Sequence, residues 1–329
     1  MGFSSQVVTY SHAYTLVPTY ECFNRCTYCN FRADPGTSPW LTLADAERVL
    51  QRLKNQGTIE ILVLSGEVHP QSSRRADWVQ HIYNLCELAL TMGFLPHTNA
   101  GPLSFAEMAK LKEVNVSMGL MLEQLTPKLL KTVHRHAPSK LPEVRSQQLD
   151  WAGELQIPFT TGLLLGIGET EQDRRESLEA IADIQERWGN IQEVILQPYS
   201  PGQKEFCAGS AFQPKDLLEM IKVARQILPK TIALQIPPNL LQPEMLIACL
   251  KAGASDLGGV SPHDEVNPDY PHPNVHQLAI MLKQAGWKVV PRLPVYPQYD
   301  QWLPSQLQKA VGEWRSRLVQ PSKPEELCS

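Results

Sequence analysis

The sequence predicts an α/β fold, one (β/α)8 TIM-type barrel with a C-terminal extension. Short apolar runs alternate with amphipathic stretches almost from end to end, the rhythm of a parallel sheet. Eight such strand–helix units are the number that closes a barrel. No GxGxxG follows the first run, so a doubly wound open sheet fits less well. A length of 329 residues suits one large barrel or two ordinary domains.

In chain order, the strands are read at residues 13–18, 59–64, 94–97, 114–121, 159–165, 193–197, 232–235 and near 256–258. Thr42 caps the first helix and Gly57 stops it. The next helix, residues 78–92, places Val79, Ile82, Leu85, Cys86 and Ala89 on one stripe. Helices at 142–155, 171–188, 214–228, 243–252 and 275–285 follow, each opening on a Pro, a capping pattern or an apolar period. A ninth apolar run at 287–290 and a last helix at 305–318 form the extension. The barrel domain is therefore 1–320, with 321–329 a flexible C-terminal tail. Residues 291–297 read as linker, and the basic stretch 128–136 as a solvated helix face.

Composition narrows the function. Hydrophobic residues make up 43% and charged residues 19%, enough for a sizeable core. The formal net charge of −4 leaves no broad basic surface and argues against nucleic acid as a partner. No apolar run approaches the roughly 18 residues of a membrane span. The first residues lack the basic and apolar regions of a signal peptide, and Gln6 stands where myristoylation needs Ser or Thr. Seven cysteines, an odd number, suit reduced thiols and a cytoplasmic location. No P-loop is present.

The strongest chemical signal is Cys22-Phe-Asn-Arg-Cys26-Thr-Tyr-Cys29, on the loop leaving the first strand. Three thiolates at this spacing can reach one centre, but a structural zinc site wants four closed ligands. They match a cubane iron–sulfur cluster whose fourth iron stays open. Zinc completed by a distant His, or no metal at all, is the competing reading. Cys86, Cys207, Cys249 and Cys328 are isolated, which leaves no ligand set for an auxiliary cluster. Cys22, Glu67, Asn99, Glu123, Gly166, Gln197 with Tyr199, Asn239 and Ser261 each follow a different predicted strand. All then fall on the C-terminal face, where such barrels carry their active sites.

The cysteine spacing resembles the radical S-adenosylmethionine (radical SAM) superfamily. That resemblance implies one 4Fe-4S cluster held by Cys22, Cys26 and Cys29, and S-adenosylmethionine chelated by its open iron. It implies cofactor contacts from Tyr28, beside the third Cys, and from Gly66 and Glu67, where the family's Gly-Gly-Glu has Ser65 in first place. Glu123 and Arg145 would hold ribose and carboxylate. Gly162, Gly166 and Glu169 match the family's GxIxGxxE element with Leu in place of Ile. A surface charge at Arg145 and a strand-to-helix turn at 166–170, with Thr170 as N-cap, are the plainer readings.

Two longer stretches, 154–170 and 255–273, resemble the CofG family of radical SAM enzymes. That family makes the deazaflavin chromophore FO, 7,8-didemethyl-8-hydroxy-5-deazariboflavin. The resemblance implies a carbon–nitrogen lyase acting on 5-amino-5-(4-hydroxybenzyl)-6-(D-ribitylimino)-5,6-dihydrouracil, with release of ammonia, 5′-deoxyadenosine and methionine. It also implies a reductant and a second subunit, the radical SAM 4-hydroxybenzyl transferase. Such a polar, neutral, aromatic substrate wants hydroxyl and amide partners. Asn99, Gln197, Tyr199, Asn239, Ser261, Asp264 and Asn267 supply them at the rim. For Asp264 and Asn267 an Asx-turn role in a Pro-bounded loop is an equal reading. The partner-subunit type, a menaquinone-pathway cyclase and a non-catalytic metal-binding scaffold are the alternatives.

Overall fold

The computed structural model describes residues 6–205 and 210–319. Cys207, Cys328 and the expected tail at 321–329 lie outside them.

The elements run β1 (Gln6–Leu16), α1 (Leu43–Leu53), β2 (Glu60–Leu64), α2 (Arg75–Thr91), β3 (Leu95–Asn99), α3 (Phe105–Lys112), β4 (Ser117–Gly119), α4 (Pro142–Glu154) and β5 (Phe159–Leu165). They continue with α5 (Glu171–Trp188), β6 (Ile191–Pro198), α6 (Pro214–Ile227), β7 (Ala233–Gln235), α7 (Pro243–Ala252), β8 (Asp256–Val260), α8 (Val275–Gln284), β9 (Trp287–Arg292) and α9 (Ser305–Val319). Strands β1 to β8 pair in sequence order, all in parallel. The sheet closes because β1 pairs with β8 on one edge and β2 on the other. This is the expected (β/α)8 barrel. All seven residues of β5 are buried, as a parallel strand covered on both faces requires. Among the described residues no helix is long and apolar enough to cross a membrane.

Local chemistry sets the helix starts. Thr42 accepts from the Asp45 N–H, and Thr170 with Asp173 forms a capping box. Ser104 and Glu107 form another that opens α3, a helix absent from the periodicity reading although its S-x-x-E signal was there.

The extension departs most from expectation. Residues 291–297 are not a linker, since Leu293 and Val295 are buried. With Tyr299, Leu303, Leu307 and Val311 they form an apolar cluster with Ile59, Leu95 and Val116, which sit where β2, β3 and β4 begin. The extension therefore plugs the floor of the barrel. Pro291 lies within the paired strand β9, and beyond Arg292 the chain leaves the sheet to give the open end of the barrel its apolar cover. β9 pairs with Gln6–Ser11 of β1 while β2 pairs with Ala13–Leu16. That pairing explains why β1 starts at Gln6, earlier than local pattern suggested: its partner comes from the far end of the chain. The stretch 128–136 is not a solvated helix either. It holds a 3-10 turn at Pro127–Lys131, and Leu129 and His134 are buried.

Candidate active site

The cysteine loop is fixed on three sides by backbone hydrogen bonds. Phe23 N–H donates to Glu67 O at 3.0 Å, on the β2–α2 loop. Arg25 N–H donates to His136 O at 2.7 Å and Thr27 N–H to Val133 O at 3.1 Å, in the β4–α4 connection. Cys22 N–H donates to Ala33 O at 3.0 Å, closing the loop on itself. All three cysteines are free thiols, Cys26 buried and Cys22 and Cys29 half-buried. Burial, helped by Glu67, pushes the Cys22 thiol up to about 11. Burial pushes Cys26 up to about 12, with the Lys140 ammonium pulling the other way. Binding iron as thiolates must therefore release protons.

Glu67 is held beside this loop. Asn24 Nδ2 donates to Glu67 Oε2 at 2.9 Å and lies 3.7 Å from Cys22 Sγ, while Asn24 Oδ1 accepts from Ser139 N–H at 3.2 Å. Gly66 and Gly101 make the arrangement possible. A Cβ on Gly66 would lie 2.3 Å from Glu21 O, and one on Gly101 would lie 2.3 Å from the Glu67 carboxyl carbon. Ser65, the departure from Gly-Gly-Glu, accepts from Trp78 Nε1 at 3.0 Å and so anchors the loop to α2.

Glu123 has a left-handed backbone with φ of 64°, a costly conformation for a residue with a side chain. Its N–H donates to Gly162 O at 3.1 Å, which ties the end of β4 to β5. Burial raises the Glu123 carboxyl, but ion pairs with Lys140 and, at 3.7 Å, Arg145 hold it below its ordinary value. Arg145 is buried, not the surface charge its helix position allowed. Its Nε and Nη1 have no partner among the described residues. Two unspent guanidinium donors in a buried position suit a carboxylate or ribose oxygen arriving from outside.

The β5–α5 turn is shaped from within. Gly166 and Gly168 both have positive φ, and Glu169 accepts from Gly166 N–H at 2.6 Å and Ile167 N–H at 2.8 Å. Glu169 is also ion-paired with Arg174 at 2.7 Å, so its oxygens serve the turn. Gly162 lets β6 approach, since a Cβ there would lie 2.4 Å from Ile195 O. Tyr28 packs among Leu129, Leu164, Ile167 and Tyr199, and its hydroxyl meets His134 Nε2 at 2.9 Å. The third-cysteine aromatic thereby joins the cysteine loop to the β5 turn.

Asn99, Gln197, Asn239, Ser261, Asp264 and Asn267 line one cavity of about 180 Å³ inside the barrel. Tyr199 does not: it is buried against the Tyr28 cluster, its hydroxyl bonded to Glu205. Ser261 donates to His263 O. Asp264 Oδ1 accepts from Val266 and Asn267 N–H, both at 2.9 Å, so the Asx-turn role and the rim position hold together. Leu64 and Met121 also line this cavity, a few residues before Glu67 and Glu123. The cysteine loop and the cavity thus share the ends of β2 and β4.

Sequence reasoning missed Asn24, Lys140, His134 and His272. Asn24 lies between two of the cysteines, which was a usable signal. For the others nothing local marks the contact.

The donor set can be tested for fit. Among the described residues no three His, Cys, Asp or Glu side chains converge on one metal ion. A cubane spreads its irons, and each thiolate needs only its own. Three free thiols on one anchored loop, beside a carboxylate and an Arg with unspent donors, fit such a cluster with an amino-acid-like ligand.

Comparison with known proteins agrees. The radical SAM superfamily model matches residues 16–181. The 7,8-didemethyl-8-hydroxy-5-deazariboflavin synthase of Trichormus variabilis is 65% identical over 314 residues, covering 95% of this chain and 92% of that protein. That of Gloeobacter violaceus is 56% identical, covering 96% of this chain and 98% of that protein. Among solved structures, the FeFe-hydrogenase maturase HydG from Carboxydothermus hydrogenoformans superposes with a TM-score of 0.71 at 15% identity, covering 95% of this chain and 77% of that one. Methylornithine synthase (PylB) gives 0.69 at 15% identity, covering 92% and 87%. Those two likenesses show the fold alone. By sequence, the chain belongs to the radical SAM superfamily and, within it, to the 7,8-didemethyl-8-hydroxy-5-deazariboflavin synthase family.

Proposed function

We propose that this chain performs the ring-closing, ammonia-releasing step of FO formation, as the CofG-type subunit. Its substrate is 5-amino-5-(4-hydroxybenzyl)-6-(D-ribitylimino)-5,6-dihydrouracil, and its products are FO, ammonia, 5′-deoxyadenosine and methionine. The observation that carries this reading is the anchored trio of free cysteines beside Glu67 and the unspent Arg145 donors, above a cavity whose lining includes the amides of Asn99, Gln197, Asn239 and Asn267 and, deeper, Glu60, Glu193 and Arg292. When bound, the 4Fe-4S cluster and S-adenosylmethionine supply an adenosyl radical that removes a hydrogen atom from the substrate.

The chain's own residues bind and shelter. Cys22, Cys26 and Cys29 hold the cluster. Glu67 receives the ammonium of the methionine moiety, and Arg145 with Glu123 takes its carboxylate and ribose oxygens. Tyr28, Gly162 and Gly166 shape the adenine side, and Glu169 keeps that turn in place. Asn99, Gln197, Asn239 and Asn267 orient the substrate, while the closed barrel excludes water that would quench a radical. The chain works in the cytoplasm, with a reductant and the 4-hydroxybenzyl transferase subunit that supplies its substrate.

Anaerobic reconstitution tests this. About four iron and four sulfide per chain, reductive cleavage of S-adenosylmethionine, and FO fluorescence from the synthetic intermediate are expected. Cys22→Ala, Cys26→Ala and Cys29→Ala each abolish cluster assembly. Tight zinc binding with no cleavage, or cleavage with no fluorescent product, would sink the assignment.

A further inference from the structure

At the barrel mouth, Asp264 gathers a cluster that ends in two unused acceptors. Asn239 Nδ2 donates to Asp264 Oδ2 and to Tyr270 O, each at 2.8 Å. Both partners are acceptors, so the amide cannot be turned round. Asn239 Oδ1 is then the atom left buried without a partner among the described residues. His272 Nε2 lies 3.8 Å from the same Asp264 Oδ2, and the side chain is nine-tenths buried. The carboxylate favours the ring proton on that nitrogen, which leaves Nδ1 as an acceptor, also buried and unpartnered among the described residues. Burial lowers the His272 pKa, with Asp264 opposing, so the ring is neutral at pH 7. Both residues line the cavity beside Gln197 and Asn99.

Two buried acceptors destabilise the site unless a ligand donates to them. The ligand must therefore bring hydrogen-bond donors. It need not bring positive charge, because Asp264 already accepts from Val266, Asn267 and Asn239. A carbonyl or an aromatic face offers no proton, and the substrate's phenol, amine and ring N–H donors each sit at one isolated point. Neighbouring hydroxyls of a polyol offer one each, and their own oxygens can accept from the spare Asn267 Nδ2 hydrogen.

We propose that this cluster seats the ribityl chain of the substrate, with Asn239 Oδ1 and His272 Nδ1 each accepting a hydroxyl proton. The assignment rests on the function proposed above and places His272 as a substrate-binding residue. It is tested by anaerobic calorimetry on the cluster-loaded protein with two ligands, the ribitylated intermediate and an analogue carrying ethyl in place of ribityl. His272→Ala and Asn239→Ala are each expected to weaken the ribitylated ligand about tenfold and leave the ethyl analogue unchanged. His272→Gln, which keeps an acceptor, is expected to restore most of the affinity. Equal weakening of both ligands, no weakening of either, or a Gln variant as weak as the Ala variant overturns the subsite. A wild-type protein that binds neither ligand overturns the proposed function first, and the subsite with it.

Discussion

At the mouth of the barrel, among the described residues, Arg145 keeps two guanidinium nitrogens without partners, and Asn239 and His272 keep one acceptor each. At the floor, Arg292 spends its guanidinium completely. It donates to Asp256 at 2.7 and 2.8 Å and to Leu293 O at 3.1 Å, and pairs with Glu193. Glu193 also accepts from Thr160 Oγ1 at 3.0 Å and Tyr296 Oη at 3.1 Å. Both regions bury a guanidinium in one barrel, and among the described residues that of Arg292 is spent while that of Arg145 keeps open donors. Unpaired buried groups persist where a ligand completes them, whereas a closed network serves the fold. Here it fastens the C-terminal extension, through Arg292 and Tyr296, into the strands it plugs. His97, buried near Arg292, is pushed down to about 3 by burial and by that charge. It is neutral, and it adds no second cation to the floor.

The sharpest way to break this contrast is Arg292→Met. Glu193, Asp256 and nearby Glu60 would lose their common cation, and a stability loss of about 3–5 kcal/mol in urea unfolding is expected. A loss under about 1 kcal/mol, the scale of an exposed pair, would show that the floor is no lock. The next effect is on pH. Burial raises the Glu193 carboxyl from 4.5 to about 7, with Arg292 opposing and Asp256 and Glu60 reinforcing. An acid that ionises less readily in the folded chain weakens the fold once it must ionise. Stability is then full below the ordinary carboxyl value and falls as pH rises toward 7, by up to about 1.4 kcal/mol per pH unit. Glu193→Gln should flatten that decline, and an unchanged slope would count against the assignment.

At the mouth the readouts invert. Arg145→Met should weaken S-adenosylmethionine about tenfold, worth about 1.4 kcal/mol, while the urea midpoint moves little because Glu123 keeps Lys140. A destabilisation matching that of Arg292→Met would erase the distinction between the two ends. The smallest effect is expected for Cys86→Ala. That thiol contacts Thr98 Oγ1 at 3.3 Å inside the core, so about 1 kcal/mol of stability goes and iron content stays that of wild type.

Much of this was legible before the fold was seen. The alternation of strands and helices follows from short-range periodicity, and the cysteine loop from spacing within eight residues. Glu67, Asn99 and Glu123 could be placed at the rim because each follows a strand. The floor left a fainter trace: Glu60 and Glu193 interrupt apolar strands and Asp256 opens one, a signal that a buried cation must exist somewhere. Nothing local said that the cation was Arg292, inside a stretch whose prolines look like a linker. Tyr199 sat at a rim position by strand counting and yet turned toward Tyr28, because the side of a loop a side chain takes is set by its neighbours in space.

The sequence alone therefore determined the barrel, the cysteine loop and the end of the barrel on which the candidate site residues fall. These rest on periodicities and spacings carried within single segments. Only the tertiary structure decided which buried charges are closed and which are open. That decision needs partners from distant parts of the chain, such as Arg292 with Glu193, or Asn239 and His272 around Asp264. A hydrogen bond exists only when both of its atoms have been brought within about 3 Å of each other.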